Sequence, residues 1–182
     1  QRWRPHLHLS LQAGDDMILK RMKRRHLRDD TIRFCEDVRS RRPDVMFGAD
    51  IIAGFPTETD AMFDNSMRIV DEAGLTHLHV FPYSPREGTP AAKMPPVDGA
   101  TIKRRAKALR EKGRERMNDY LASRTGTMAR VLMETGGTGR TEQFITVSVE
   151  GGEALEAGTL LNLQITGHDG ARLTGLPQRA AA

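Results

Sequence analysis

Cysteine is almost absent from these 182 residues: Cys35 stands alone, so no internal disulfide framework can form. No apolar run approaches the roughly 18 residues of a membrane span, and no signal-like segment opens the chain. Methionine is missing from the first position, where Gln1 stands, and a strand pattern begins within a few residues of it. That reads as a chain cut from something longer, and a cytoplasmic location without a membrane partner is the expectation. The 38% of hydrophobic residues suffice for one medium domain, or a domain plus a small module.

Charge is unevenly spread. Up to Arg124 there are 24 Lys and Arg against 18 Asp and Glu, a net of +6, whereas Thr125 onward carries 4 against 6, a net of −2. The basic excess of the first part suits a polyanionic partner such as RNA, and it equally suits a solvated surface.

His6–Gln12 alternates strictly, with Leu7, Leu9 and Leu11 on one face and His6, His8, Ser10 and Gln12 on the other. Asp15 or Asp16 is positioned to cap a short helix. Asp29 and Asp30 open a second helix, closed by Pro43, on which Ile32, Cys35 and Val38 form a stripe; Cys35 there reads as a buried structural thiol. Val45–Gly54 is a second strand, and Thr57 is the expected N-cap of an amphipathic helix from Glu58 to Ala73, ended by Gly74. A third strand, Leu75–Phe81, puts Leu78 and Val80 on one face and His77, His79 and Phe81 on the other. Strand–helix–strand repeats with short loops predict right-handed βαβ units and a parallel sheet. The non-aliphatic face of each strand (Ser10, Gln12, Asp50, His77, His79) suits a barrel interior. In Asp50–Thr59 a buried strand runs into a helix through Gly54 and Pro56, and such corners bind ligands. An ordinary tight turn is the alternative there.

Pro82–Val97 is a long Pro-rich loop, read as functional because it hangs from a strand's C-terminal end. Ala100–Ser123 is a long helix with Ile102, Ala106, Leu109, Met117 and Leu121 on one seam and Lys103, Arg104, Arg105 and Lys107 among the cations elsewhere. From Thr125 the texture changes to short alternating segments (129–134, 144–149, 160–166 and 171–176) separated by glycines, with His168-Asp169-Gly170-Ala171 as a hairpin signal. That describes a small OB-like barrel, a class that binds oligonucleotides.

Four stretches in order, His8-Leu9-Ser10-Leu11-Gln12-Ala13-Gly14, Ile18–Arg25, Asp50–Thr59 and Phe81–Ala92, resemble the C-terminal part of the radical S-adenosylmethionine methylthiotransferase family. Within it, His-Leu-Ser-Leu-Gln and Phe-Pro-Tyr-Ser-Pro-Arg are most similar to the branch acting on N6-threonylcarbamoyladenosine beside the tRNA anticodon. The resemblance implies residues 1–124 as the C-terminal part of a partial (β/α) barrel. It also implies residues 125–182 as a TRAM-like RNA-binding barrel, in an α/β protein overall. Ser10, Gln12, Arg24, Ile52 and Gly54 are implied to hold S-adenosylmethionine. Tyr83, Ser84 and Arg86 are implied to lie over the substrate, and Arg104, Arg105, Arg140 and Thr141 to meet tRNA, with Arg140-Thr141 inside the TRAM-like Gly139–Glu142. The family's [4Fe–4S] clusters need cysteines that Cys35 alone cannot supply. Their ligands are therefore assigned to an N-terminal part absent from this sequence, and the chain by itself is expected to be inactive. Two other readings stand beside this one. A metal-dependent barrel hydrolase would use His6-x-His8, His77-x-His79 and Asp50. A non-catalytic RNA-binding module would use the basic helix and the small barrel.

Overall fold

The computed structural model describes residues 5–177; the expected fraying of Gln178–Ala182 lies outside the described residues. Packing divides the chain within its longest helix. Leu7–Arg114 forms one compact unit, and the other described residues form another.

In the first unit, β1 (His6–Gln12), β2 (Met46–Ala53) and β3 (Leu75–Pro82) form a three-stranded sheet in that order, with β1 at an edge. β2 and β3 are parallel, with Asp50 beside His79 and Ile52 beside Phe81. The period of two in the sequence becomes a physical asymmetry. Leu7, Leu9, Leu11, Phe47, Ala49, Ile51, Leu78 and Val80 enter one core with residues of α2 (Arg28–Arg41), α3 (Asp60–Glu72) and α4 (Gly99–Arg124). His8, Ser10, His77, His79 and Phe81 are exposed on the opposite face. Cys35 is fully buried in that core, and loss of water pushes its thiol up to about 11.

The capping of α1 (Asp16–Arg21) follows the sequence: Asp15 accepts from Met17 and Ile18 N–H at 2.9 and 3.2 Å. The cap of α3 does not. Thr59, not Thr57, accepts from Met62 N–H. Thr57 instead sits in the left-handed region (φ +68°), its N–H on the Pro95 carbonyl at 3.1 Å and its hydroxyl taking a 2.7 Å bond from Arg21. The turn is held from inside by Glu58. Its buried carboxylate accepts from Gly54 N–H and from Arg105 Nη1, both at 2.9 Å, while Arg105 Nη2 reaches Asp60 at 2.7 Å. Burial pushes the Glu58 carboxyl above its ordinary range, against the pull of Gly54 N–H and Arg105.

Two site expectations change here. Arg105 is 4% exposed and its guanidinium is committed to Glu58 and Asp60, so it leaves the tRNA-facing set, whereas Arg104 is exposed. Gly54, at φ +77°, is glycine because of α4: a Cβ there would stand 2.5 Å from Ile102 Cγ1 and 3.2 Å from its Cα. The missing side chain makes room for a helix.

The second unit carries a closed five-stranded barrel in the order β4 (Met128–Met133), β5 (Thr138–Thr141), β6 (Thr146–Val149), β8 (Leu173–Pro177), β7 (Leu160–His168). Val131, Met133, Val147, Val149, Leu163, Ile165 and Leu173 are buried. The β7–β8 hairpin forms at the expected turn, where Asp169 Oδ1 accepts from Ala171 and Arg172 N–H and Gly170 takes φ +87°. β5 was not legible as a strand, because Thr-Gly-Arg-Thr has the composition of a turn. Gly139 is required there, since a Cβ would stand 2.5 Å from Val131 Cγ1.

Removing one partner of a buried ion pair costs about 3–5 kcal/mol, whereas surface changes stay within about 0.5 kcal/mol. Arg105→Ala is therefore expected to lower the urea midpoint steeply and Arg104→Ala to leave it in place; equal midpoints would contradict this account. Gly54→Ala is expected to cost about 1–3 kcal/mol less in an Ile102→Ala background than in the native chain, because the 2.5 Å clash with Ile102 Cγ1 is relieved while the tighter-than-usual contacts with Cβ and Cα and the positive φ remain. Equal costs in both backgrounds would remove Ile102 from the explanation.

Candidate functional site

The C-terminal ends of all three strands meet at one cavity of about 560 Å³. Gln12 closes β1, Ile52 is the penultimate residue of β2, and Tyr83, Ser84 and Arg86 lie in the loop that follows β3. β1 thus runs in the same direction as its neighbours. A second recess of about 330 Å³ shares Gln12 and Ile52 with the first and adds Arg24. Volumes of this order suit a cofactor-sized ligand.

The loop after β3 is folded rather than loose. Thr89 caps a short 3-10 turn, Pro90–Lys93, accepting from Ala92 N–H at 3.3 Å. Tyr83 N–H bonds to the Ala53 carbonyl at 2.9 Å, and its ring stands edge-on to Phe55 at 5.4 Å. Tyr83, Ala91 and Met94 pack on a small cluster of Ala13, Ile18, Leu19 and Phe55 at the strand ends. Gly14 lets β1 dock there: a Cβ would stand 2.6 Å from the Asn65 carbonyl oxygen and from Ser66 Cα, both in α3.

Two non-glycine residues around the recess sit in the left-handed region, Gln12 at φ +75° and Lys23 at φ +57°. Such backbone costs of order 1–3 kcal/mol and gathers at sites where a side chain must be aimed. Arg24 lies across β1, its Nη2 donating to the Ser10 carbonyl at 2.5 Å. The Tyr83 hydroxyl is buried without a hydrogen-bond partner.

Of the cofactor and substrate residues expected from the sequence, the structure brings together Gln12, Ile52, Tyr83, Ser84 and Arg86, with Arg24 alongside. Ser10 lines a separate shallow groove along the β1 edge with His26 and Phe34, and Gly54 lines neither recess. Thr89 and Ala91, which wall both, were not singled out. Thr-Pro at a turn start was the signal available for them.

In the second unit, Arg140 is exposed, donating to Glu134 at 3.0 Å and to the Phe144 carbonyl at 3.2 Å. Thr141 is 5% exposed and its hydroxyl accepts from Ile145 N–H at 3.2 Å, so the side chain staples a turn. The histidines divide as well. His8, His77 and His79 converge with Asp50 on the open sheet face. His6 instead bonds to the Gln143 carbonyl at 3.1 Å and stacks edge-on with Phe144. The His6–His8 pairing is not formed.

Residues 4–70 match the Radical SAM superfamily. The chain is 49% identical over 167 residues to the threonylcarbamoyladenosine tRNA methylthiotransferase MtaB of Rickettsia prowazekii, covering 92% of this chain and 39% of that protein. It is 40% identical over 152 residues to a probable threonylcarbamoyladenosine tRNA methylthiotransferase of Methanocaldococcus jannaschii, covering 82% and 35%. It is 34% identical over 177 residues to a tRNA-2-methylthio-N(6)-dimethylallyladenosine synthase of Ruegeria pomeroyi, covering 94% and 40%. The chain therefore spans about two-fifths of the length of the curated relatives it matches. With the four motifs in order and these identities along nearly its whole length, the chain belongs to the radical SAM tRNA methylthiotransferase family.

Proposed function

We propose that this chain is the cofactor- and tRNA-binding C-terminal part of a cytoplasmic enzyme. That enzyme adds a methylthio group to N6-threonylcarbamoyladenosine beside the tRNA anticodon. Residues 1–124 serve as the barrel part and 125–182 as a TRAM-like RNA-binding module. The observation that carries this reading is the cavity where the C-terminal ends of three strands present Gln12, Ile52, Tyr83 and Arg86 together. The higher identity to the relative named for threonylcarbamoyladenosine than to the one named for dimethylallyladenosine supports the choice of base.

The residues fit S-adenosylmethionine. Gln12 offers an amide donor and acceptor, Ile52 an apolar wall for the adenine, and Arg24 a cation for a carboxylate. A ligand or an ordered water would give the buried Tyr83 hydroxyl the hydrogen-bond partner it lacks. When bound, the cofactor supplies the radical that substitution at an unactivated aromatic C–H demands. Arg86, exposed on the loop that lines the cavity, faces the incoming base and orients it. The residues do not fit an iron–sulfur cluster: Cys35 is sealed in the core with its thiol pushed up to about 11. Cluster binding belongs to the N-terminal part of the same protein, and the isolated chain does not turn over.

In the full-length enzyme, Arg86→Ala is expected to reduce modified nucleoside severalfold more than 5′-deoxyadenosine, both quantified in one reaction. Equal losses would make Arg86 a cofactor residue instead. For tRNA binding, log K against log salt should fall by about 0.7–0.9 per phosphate neutralised. Arg104→Ala and Arg140→Ala should each flatten that slope by about one contact, while Thr141→Val leaves it unchanged. Unaltered slopes in both arginine variants would overturn the assignment.

A further inference from the structure

The open face of the sheet carries a second constellation that the cofactor cavity does not use. His8 on β1, Asp50 on β2 and His77 and His79 on β3 all project from that face. One nitrogen from each of the three imidazoles lies within 4.8 Å of the other two. Asp50 Oδ1 is 2.8 Å from His8 Nε2 and 3.3 Å from His79 Nδ1. The rings are packed on one another, with centroids 4.5 Å apart for His8 and His79 and 4.8 Å for His77 and His79.

We propose that His8, His77 and His79, with Asp50 as the oxygen donor, form a binding site for one divalent transition-metal ion of the zinc class. Imidazole nitrogens with one carboxylate are the donor set that zinc and its neighbours take. Zinc–nitrogen bonds of about 2.0–2.1 Å put tetrahedral ligand atoms about 3.3 Å apart. The Asp50–His79 contact already has that spacing, the Asp50–His8 contact at 2.8 Å opens slightly to reach it, and the imidazoles reach it by drawing in from within 4.8 Å. Side-chain torsions suffice for this, because the side chains are 28% exposed for His8, 26% for Asp50 and 49% for His79.

The backbone is shaped for the cluster. Register sets Gly48 beside His77 and Asp50 beside His79, so the ligands occupy alternate positions of neighbouring strands. Gly48 lies under the His8 ring, where a Cβ would stand 2.5 Å from His8 Nδ1. Only glycine leaves room for that imidazole beside its partners. Three neutral imidazoles and one carboxylate around a divalent ion leave a net charge of +1. Ion uptake exchanges any proton on a ligating nitrogen for the cation.

The test is titration of the metal-free 182-residue chain with Zn²⁺ by calorimetry and with Co²⁺ by visible absorption. Expected are one ion per chain and cobalt bands of four- or five-coordinate intensity. Affinity should fall at least tenfold in His77→Ala and in His79→Ala, two exposed positions where circular dichroism should be unchanged. His6→Ala, a histidine of the same strand outside the cluster, should bind as the native chain does. Absence of a saturable one-to-one site would overturn the proposal. So would native affinity in both His77→Ala and His79→Ala, or a loss in His6→Ala equal to theirs.

Discussion

One buried carboxylate organises the first unit. Glu58 takes the Gly54 N–H on one side and the Arg105 guanidinium on the other, tying the end of β2 and the approach to α3 to a residue of α4. Each partner has lost water that only the others replace, so the group stands or falls together. The geometry around it is tight for the same reason: Gly54 must lack a side chain for Ile102 to approach. Thr57 must adopt a left-handed conformation for its N–H to meet Pro95 and its hydroxyl Arg21. The loop that walls the cavity is thereby anchored to the same turn whose strand supplies Ile52.

This division of labour separates scaffold from site along a single segment. Asp50 and Ile52 face the open side of the sheet, while Glu58, only a few residues later, faces inward to α4. The strand ends can then present Gln12, Ile52 and Tyr83 from rigid backbone. A site built this way holds its side chains through the fold and needs no ligand to assemble it.

Much of this was legible in the sequence, and the reasons are local. The alternation in His6–Gln12 and Leu75–Phe81 separated core from open face correctly, because strand periodicity survives into any packed sheet. Asp15 capped α1 as read, and the turn at Asp169-Gly170 formed where its residues demanded. What could not be read depended on distant partners. Arg105 looks like any other cation in a basic helix until Glu58 and Asp60 are folded against it. Thr57 loses the cap to Thr59 because Arg21 and the carbonyl of Pro95 claim it. Thr141 resembles an RNA-facing hydroxyl beside Arg140, yet the four-residue strand β5 turns it inward. The convergence of His8 with His77 and His79, and the exclusion of His6, likewise required the strand order.

Whether the strand-end cavity holds S-adenosylmethionine, as proposed, is decided most directly by methyl NMR of the chain during titration with that compound. A saturable shift of the Ile52 methyl resonances, which border the cavity, is expected, with those of Ile69, sealed in the core, staying in place. Binding that leaves Ile52 unmoved, or no binding at any concentration, would contradict it.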